Sequence, residues 1–289
     1  MQQLKPKQVQ VSIVIPVCDE EGNLRELSVR VKKVMAGITS SYEIIMVDDG
    51  SRDGSFSIMK KLSSGDDRIK IVRLRRNFGK SDALDAGFSK TSGEIIITMD
   101  ADLQDDPDEI PRFIQEIRKG KDVVSGWRSP RRDRPMKKFL SYFFNRTTSI
   151  MTGLKLHDFN CGFKSYRREV INSIKVYGGF HRYLPILANW HGFETGEIKV
   201  KHHPRKSGKT KYGFGRITKG FFDLITVMFL TRYNARPLHL FGGAGIILAL
   251  AGLIINIYIT ILRLRFGNIL NRFPGSQVRR LLVLIGTKD

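Results

Sequence analysis

The chain has 289 residues, with 49 Lys and Arg against 28 Asp and Glu and a formal charge of +21. Its length and 41% apolar content exclude wholesale disorder and allow one large or two small domains with a proper core. Two cysteines, Cys18 and Cys161, exclude a disulfide framework or a Cys-rich zinc site and fit a reducing compartment, while the excess charge calls for an anionic partner.

Met1–Gln10 is polar, and the apolar run Val11–Val17 that follows is too short for a signal peptide. That run reads instead as a strand, as do Glu43–Asp48, Ile69–Leu74, Glu94–Met99 and Asp122–Ser125. Continuous apolar runs of this length suit parallel strands covered on both faces. Helical stretches alternate with them at Asn23–Met35, Ser55–Leu62, Ser81–Ser89 and Pro107–Lys119. Residues up to about 215 are therefore expected to form an α/β domain, a mostly parallel sheet with helices on both faces. Ligands in such sheets sit at the carboxyl ends of strands. Ile15–Glu20, Asp48-Asp49-Gly50 and Asp100-Ala101-Asp102 each fall just past a strand.

The apolar residues between 216 and 237, flanked by Arg216, Lys219, Arg232 and Arg236, predict an amphipathic helix in a lipid headgroup region. An ordinary core helix is the competing reading. Leu240–Leu262 is almost wholly apolar and, as a helix of about 34 Å, reaches across a bilayer. Gly242, Gly243, Gly245 and Gly252 suit close packing in lipid. Arg263, Arg265, Arg272, Arg279 and Arg280 follow, so one span would put arginines on the far side, against the positive-inside tendency. Either a second span is missing or incomplete, or the tail folds back.

Two carboxylates one residue apart at a strand end, Asp100 and Asp102, can share a divalent ion and its ligand, and the Gln104 amide oxygen is another hard donor. Magnesium favours such sites, with few protein carboxylates and substrate phosphates completing the shell. The later acids, Asp105, Asp106, Asp108 and Glu109, read as N-terminal charges on the next helix. Adjacent Asp48 and Asp49 repel unless one finds a donor, which a nucleobase N–H, a sugar hydroxyl or an Asx-type turn would supply.

Arg205–Lys211 contains Gly-Lys-Thr, but a P-loop would need its first glycine at His203. The segment reads better as a clamp on a diphosphate, Arg205 offering a planar fork and Lys211 a point charge. Arg128, Arg131, Arg132, Arg134, Lys137 and Lys138, followed by Ser141 and Asn145, form a second basic cluster suited to headgroups or a lipid phosphate. Nucleic acid is not expected, because the nearby aromatics bunch on one helix face instead of interleaving with the bases. Asp158, before Asn160–Lys164, is the remaining carboxylate of interest.

Val11–Leu24, Val47–Gly54, Asn77-Phe-Gly-Lys80, Met99–Gln104, Gly162-Phe-Lys164 and Arg205…Lys211 together resemble family-2 glycosyltransferases of the GT-A fold. Within that family the chain is similar to the polyisoprenyl-phosphate glycosyltransferases, the group that includes dolichol-phosphate mannose synthase. The resemblance spans roughly residues 10–262. It implies that Pro16, Val17, Glu20 and Asp49 line a nucleoside pocket, with Val47 behind, and that Asp100 and Ala101 contact the nucleotide sugar. It also implies that Asp102 and Gln104 hold Mg²⁺ or Mn²⁺ and that Arg205 and Lys211 close over the diphosphate. Arg128, Lys137 and Ser141 fall where the family grips the acceptor phosphate, and Asp158 matches an acidic residue near the acceptor. Asp102, Asp158 and Arg205 are thus the expected catalytic set. Cys18 stands where a tyrosine is common, and Lys137 where an arginine is frequent.

The implied reaction is an inverting, metal-dependent transfer from a UDP- or GDP-sugar to undecaprenyl or dolichyl phosphate at the cytoplasmic face of a membrane. Residues 11–215 would be the catalytic domain, 216–237 a juxtamembrane region, 238–262 the span and 263–289 a basic tail; homo-oligomerisation stays open. A processive polysaccharide synthase would carry Gln-x-x-Arg-Trp, a pattern that neither Trp127 nor Trp190 satisfies. A non-enzymatic basic module binding nucleic acid or anionic lipid fits the charge but not the clustered carboxylates.

Overall fold

The computed structural model of the protein describes residues 9–129, 135–176, 178–204, 215–230 and 237–270. The chain divides into two compact units, Met1–Thr231 and Arg232–Asp289.

In the first unit β1 (Val11–Val17), α1 (Leu24–Ala36), β2 (Tyr42–Asp48), α2 (Ser55–Ser64), β3 (Ile69–Arg73), α3 (Lys80–Phe88) and β4 (Ile95–Thr98) alternate as the apolar runs predict. After a 3-10 turn at Pro107–Glu109 come α4 (Ile110–Arg118), β5 (Val123–Arg128), α5 (Pro135–Thr152), β6 (Lys164–Arg167), α6 (Arg168–Ser173), α7 (Leu184–Trp190), β7 (Thr195–Val200) and α8 (Gly215–Met228). The strands form one seven-stranded sheet in the order β3-β2-β1-β4-β6-β5-β7. All neighbours are parallel except β6, which runs against both β4 and β5.

The continuous apolar character of the central strands has a simple cause: both faces are covered. Ile13, Ile15, Ile44 and Met46 enter one core with Leu27 and Phe113, while Val14, Ile45 and Val47 enter a second with Phe88, Tyr166 and Tyr183. Successive residues thus serve opposite layers, as the two-residue period of a strand requires. Close packing of the second layer needs glycine at 87, where a Cβ would come within 2.4 Å of Val14 Cγ1.

The short strand β6 has no apolar run to announce it; its Lys-Ser-Tyr-Arg sequence is nevertheless buried through Tyr166. Being antiparallel, β6 begins where its neighbours end. Lys164 sits beside Thr98 of β4 and Ser125 of β5. The carboxyl edge of the sheet therefore gathers the ends of β1, β2, β4 and β5 with the start of β6.

In the second unit α9 (Pro237–Leu270) extends eight residues past the predicted end at Leu262. Arginine and leucine are good helix formers, so Arg263, Leu264 and Arg265 carry the helix on after the apolar stretch ends. Over Phe241–Leu264 it is the one helix among the described residues long and apolar enough to cross a membrane.

The Phe113 ring lies 4.4 Å from that of Phe163, and both side chains are fully buried. Phe113→Ala is expected to lower stability by about 3–5 kcal/mol, measured by chemical denaturation.

Candidate active site

The site is built from loops laced across the sheet's carboxyl edge. Pro16 and Val47 are register neighbours at the ends of β1 and β2, and Val17 O accepts the Asp49 N–H at 2.8 Å. Asp19 adopts a positive φ of 52°, and its carboxylate accepts the Arg52 N–H at 2.7 Å. The Glu20 N–H donates to Ser55 Oγ at 2.8 Å, while the Glu20 carboxylate accepts from Asn23 Nδ2 at 2.7 Å. Val47 is fully buried behind this loop. Cys18 Sγ accepts a hydrogen bond from Asn77 Nδ2 at 3.1 Å.

The neighbouring carboxylates Asp48 and Asp49 find their donors inside the protein. Asp48 Oδ1 accepts the Ser51 N–H at 3.0 Å, and its Oδ2 lies 3.4 Å from Arg73 Nε. Asp49 accepts the Phe78 and Gly79 N–H groups at 2.8 and 3.0 Å, one on each oxygen. Asp49 thus buttresses the Asn77–Lys80 loop beside the expected nucleoside pocket. Gly50 is required between them: φ is +66°, and a Cβ would come within 2.5 Å of the Arg76 and Asn77 backbone.

Beyond β4 the chain makes a strained turn. Leu103 is buried with φ +60°, an uncommon conformation for a bulky residue and one that gathers at functional sites. Across this turn Asp102 Oδ1 accepts the Gln104 N–H at 3.2 Å. Gln104 Nε2 donates to His203 O at 3.2 Å, so Oε1 is the amide end left to face a cation. Asp102, only 7% exposed, and Gln104 Oε1 are hard oxygen donors suited to magnesium or manganese. Among the described residues no group of three His, Cys, Asp or Glu side chains forms a metal cage. The donor set fits a cation that shares its shell with phosphate oxygens.

Asp100 pairs with Lys80 at the first turn of α3. Loss of solvent alone would raise the Asp100 carboxyl, but Lys80, Arg128 and Lys164 overcome it and hold the group below its ordinary range. Ala101 is buried in the turn. Asp105 is pushed up to about 7 by burial and by the Asp100 charge, although it accepts the Asp100 N–H at 3.2 Å. Asp106 caps the 3-10 turn through Asp108 N and binds Arg30 at 2.7 Å and His203 Nε2 at 2.9 Å. Asp106 thus serves the turn before the helix, as its place predicts, whereas Asp105 faces Asp100 and Asp102.

At the end of β5, Arg128 Nε and Nη2 donate to Asp158 at 2.7 and 3.0 Å. Burial would lower the Arg128 guanidinium, but the Asp158 charge more than offsets it, and the net shift is upward. Asp158 is 1% exposed and also accepts the Asn160 N–H at 3.1 Å. It is therefore engaged as the partner that orients Arg128. Ser141 lies half-buried on α5. Lys137 belongs to the first turns of α5, but its side chain, together with Arg205 and Lys211, lies outside the described residues.

Several residues at this edge carry no role in the sequence reading. Lys80 and Gly162 stand in segments that carry the resemblance. A Cβ on Gly162 would come within 2.7 Å of Asp100 Oδ2 and of Lys80 Nζ, so the glycine lets that pair lie against the backbone. Glu197 has no local signal: it accepts the Asp158 N–H at 3.0 Å from a strand distant in sequence.

A mostly parallel sheet with an acidic, cation-suited turn at its carboxyl edge defines a glycosyltransferase of the GT-A class. The chain belongs to glycosyl transferase family 2, which matches residues 12–175. It is 36% identical over 281 residues to a dodecaprenyl-phosphate galacturonate synthase of Rhizobium johnstonii, covering 96% of this chain and 83% of that one. It is 38% identical over 258 residues to an undecaprenyl-phosphate 4-deoxy-4-formamido-L-arabinose transferase of Pseudomonas aeruginosa, covering 89% of this chain and 75% of the relative. The crystal structure of glucosyl-3-phosphoglycerate synthase from Mycobacterium tuberculosis with Mn²⁺, UDP and phosphoglyceric acid shares the fold, with TM-score 0.59 and 16% identity over 77% of this chain and 78% of that one.

Asp158→Ala leaves the Arg128 guanidinium without its buried counter-ion. The expected loss is about 3–5 kcal/mol, read by denaturant titration, with Asp158→Asn costing less.

Proposed function

We propose that this glycosyltransferase moves a sugar from a nucleotide sugar to a polyprenyl phosphate, with inversion, at the cytoplasmic face of a membrane. The observation that carries the reading is the Asp102–Gln104 turn, which presents hard oxygen donors on the sheet edge that also bears the Arg128–Asp158 clasp. The named activities of the two bacterial relatives support a polyprenyl-phosphate acceptor.

In this reading Pro16, Val17, Glu20 and the loop buttressed by Asp49 receive the nucleoside, and Asp100 and Ala101 meet the sugar diphosphate. Bound by Asp102 and Gln104, Mg²⁺ or Mn²⁺ would neutralise charge on the departing nucleoside diphosphate. Arg205 and Lys211 are assigned to the same diphosphate from the sequence. Arg128, oriented by Asp158, grips the acceptor phosphate with Lys137 and Ser141. An oxygen of that phosphate attacks the anomeric carbon as the bond to the nucleoside diphosphate breaks. The attacking group is already anionic at neutral pH, so the protein need not supply a base; its cations stabilise charge on the leaving group.

Residues 11–215 form the catalytic part, 216–237 the juxtamembrane region, 238–262 the span and 263–289 the basic tail. An apolar span gives the enzyme access to an acceptor that stays in the bilayer, and basic residues near it favour an anionic lipid surface.

Purified protein given labelled UDP- or GDP-sugars and undecaprenyl or dolichyl phosphate with Mg²⁺ or Mn²⁺ should form an organic-extractable product. Asp102→Ala is expected to lower the rate by about a hundredfold or more. Unchanged turnover in that variant would remove the metal role.

A further inference from the structure

Lys164 is 2% exposed, and among the described residues no carboxylate comes within salt-bridge reach of its ammonium. Its Nζ instead donates to the carbonyls of Cys161 and, at 3.4 Å, Phe159. A buried ammonium without a paired carboxylate is costly. Burial, with Lys80 and Arg128 adding to it and Asp158 opposing, draws the Lys164 amine down to about 8. A methionine of similar length would fill the space without that cost, so retention of the charge asks for a task.

The task is visible in what the two carbonyls belong to. The segment from His157 to Gly162 is tied down at every step. Glu197 of β7 accepts the N–H groups of His157 and Asp158 at 2.9 and 3.0 Å and meets His157 Nδ1 at 2.7 Å. Asn145 of α5 donates to His157 O at 2.7 Å, one helical turn from Ser141. Thr98 Oγ1 donates to Gly162 O at 2.8 Å. One end of this arc carries Asp158, which orients Arg128; the other carries Gly162, against which the Asp100–Lys80 pair lies. Lys164 holds the middle.

We propose that Lys164 is a positioning residue of the transfer reaction: its ammonium fixes the His157–Gly162 arc and so sets the separation between the donor and acceptor ends of the crevice. This rests on the transfer reading above. Charged or titratable groups facing the ammonium are Lys80 from α3, Asp100 after β4, Arg128 from β5, and Asp158 and the Cys161 thiol from the arc.

The test uses the full chain in detergent or lipid, with turnover of a nucleotide sugar onto undecaprenyl phosphate measured first for the unaltered enzyme. Absence of that turnover counts against the transfer reading itself. Given turnover, Lys164→Met should keep or raise the thermal midpoint while kcat falls about tenfold to a hundredfold and KM rises for both substrates. Lys164→Arg, where it folds, should retain turnover and lose an alkaline fall in kcat centred near pH 8. That sign follows from the amine, which is charged below about 8 and neutral above it. A Lys164→Met enzyme with kcat and both KM values within twofold of the unaltered enzyme overturns the proposal. So does one whose activity declines only in step with its folded fraction.

Discussion

Charge withdrawn from water at the carboxyl edge of the sheet is the constraint on which the rest of the site depends. Asp100, Asp102, Asp105 and Asp158 crowd an edge shared with Lys80, Arg128 and Lys164. Carboxylates so placed protonate if left alone: burial, with the Asp100 charge adding to it, pushes Asp105 up to about 7. Lys80 and Arg128 prevent this at Asp100 and Asp158 by direct pairing. The arrangement has a chemical use. In the proposed transfer a diphosphate and a lipid phosphate would bring several negative charges to one crevice, and fixed cations in a poorly solvated wall would stabilise them more than water would.

The fold was readable because the strands are covered twice. Val11–Val17 and Glu43–Asp48 read as continuous apolar runs since alternate residues serve different cores, and the length of such runs distinguishes them from helices. β6 and β7 escaped for the opposite reason. Lys164–Arg167 and Thr195–Val200 are polar segments whose strand character comes from neighbours far away in sequence.

The site was legible to the degree that its chemistry is local. Asp102 and Gln104 belong to one turn, and their spacing carries the donor set. The place of Asp49 is different: a carboxylate after a strand announces itself, but only the folded chain shows that it buttresses Phe78 and Gly79. Asp158 was visible as the carboxylate before Asn160–Lys164, yet its bidentate hold on Arg128 bridges 30 positions. Glu197 gave no signal at all, and Asn145 was noted only beside a basic cluster, because supporting a backbone arc demands no motif.

The reversed direction of β6 has a consequence for how this part of the chain can diversify. Register places Phe163 in one core and Lys164 toward the crevice, and a slip of one position would exchange them, putting an ammonium among aromatic rings. Insertions and deletions within β6 are thereby forbidden. The arc before it tolerates little more, because Asn145 of α5, Thr98 of β4 and Glu197 of β7 each meet it at a fixed point.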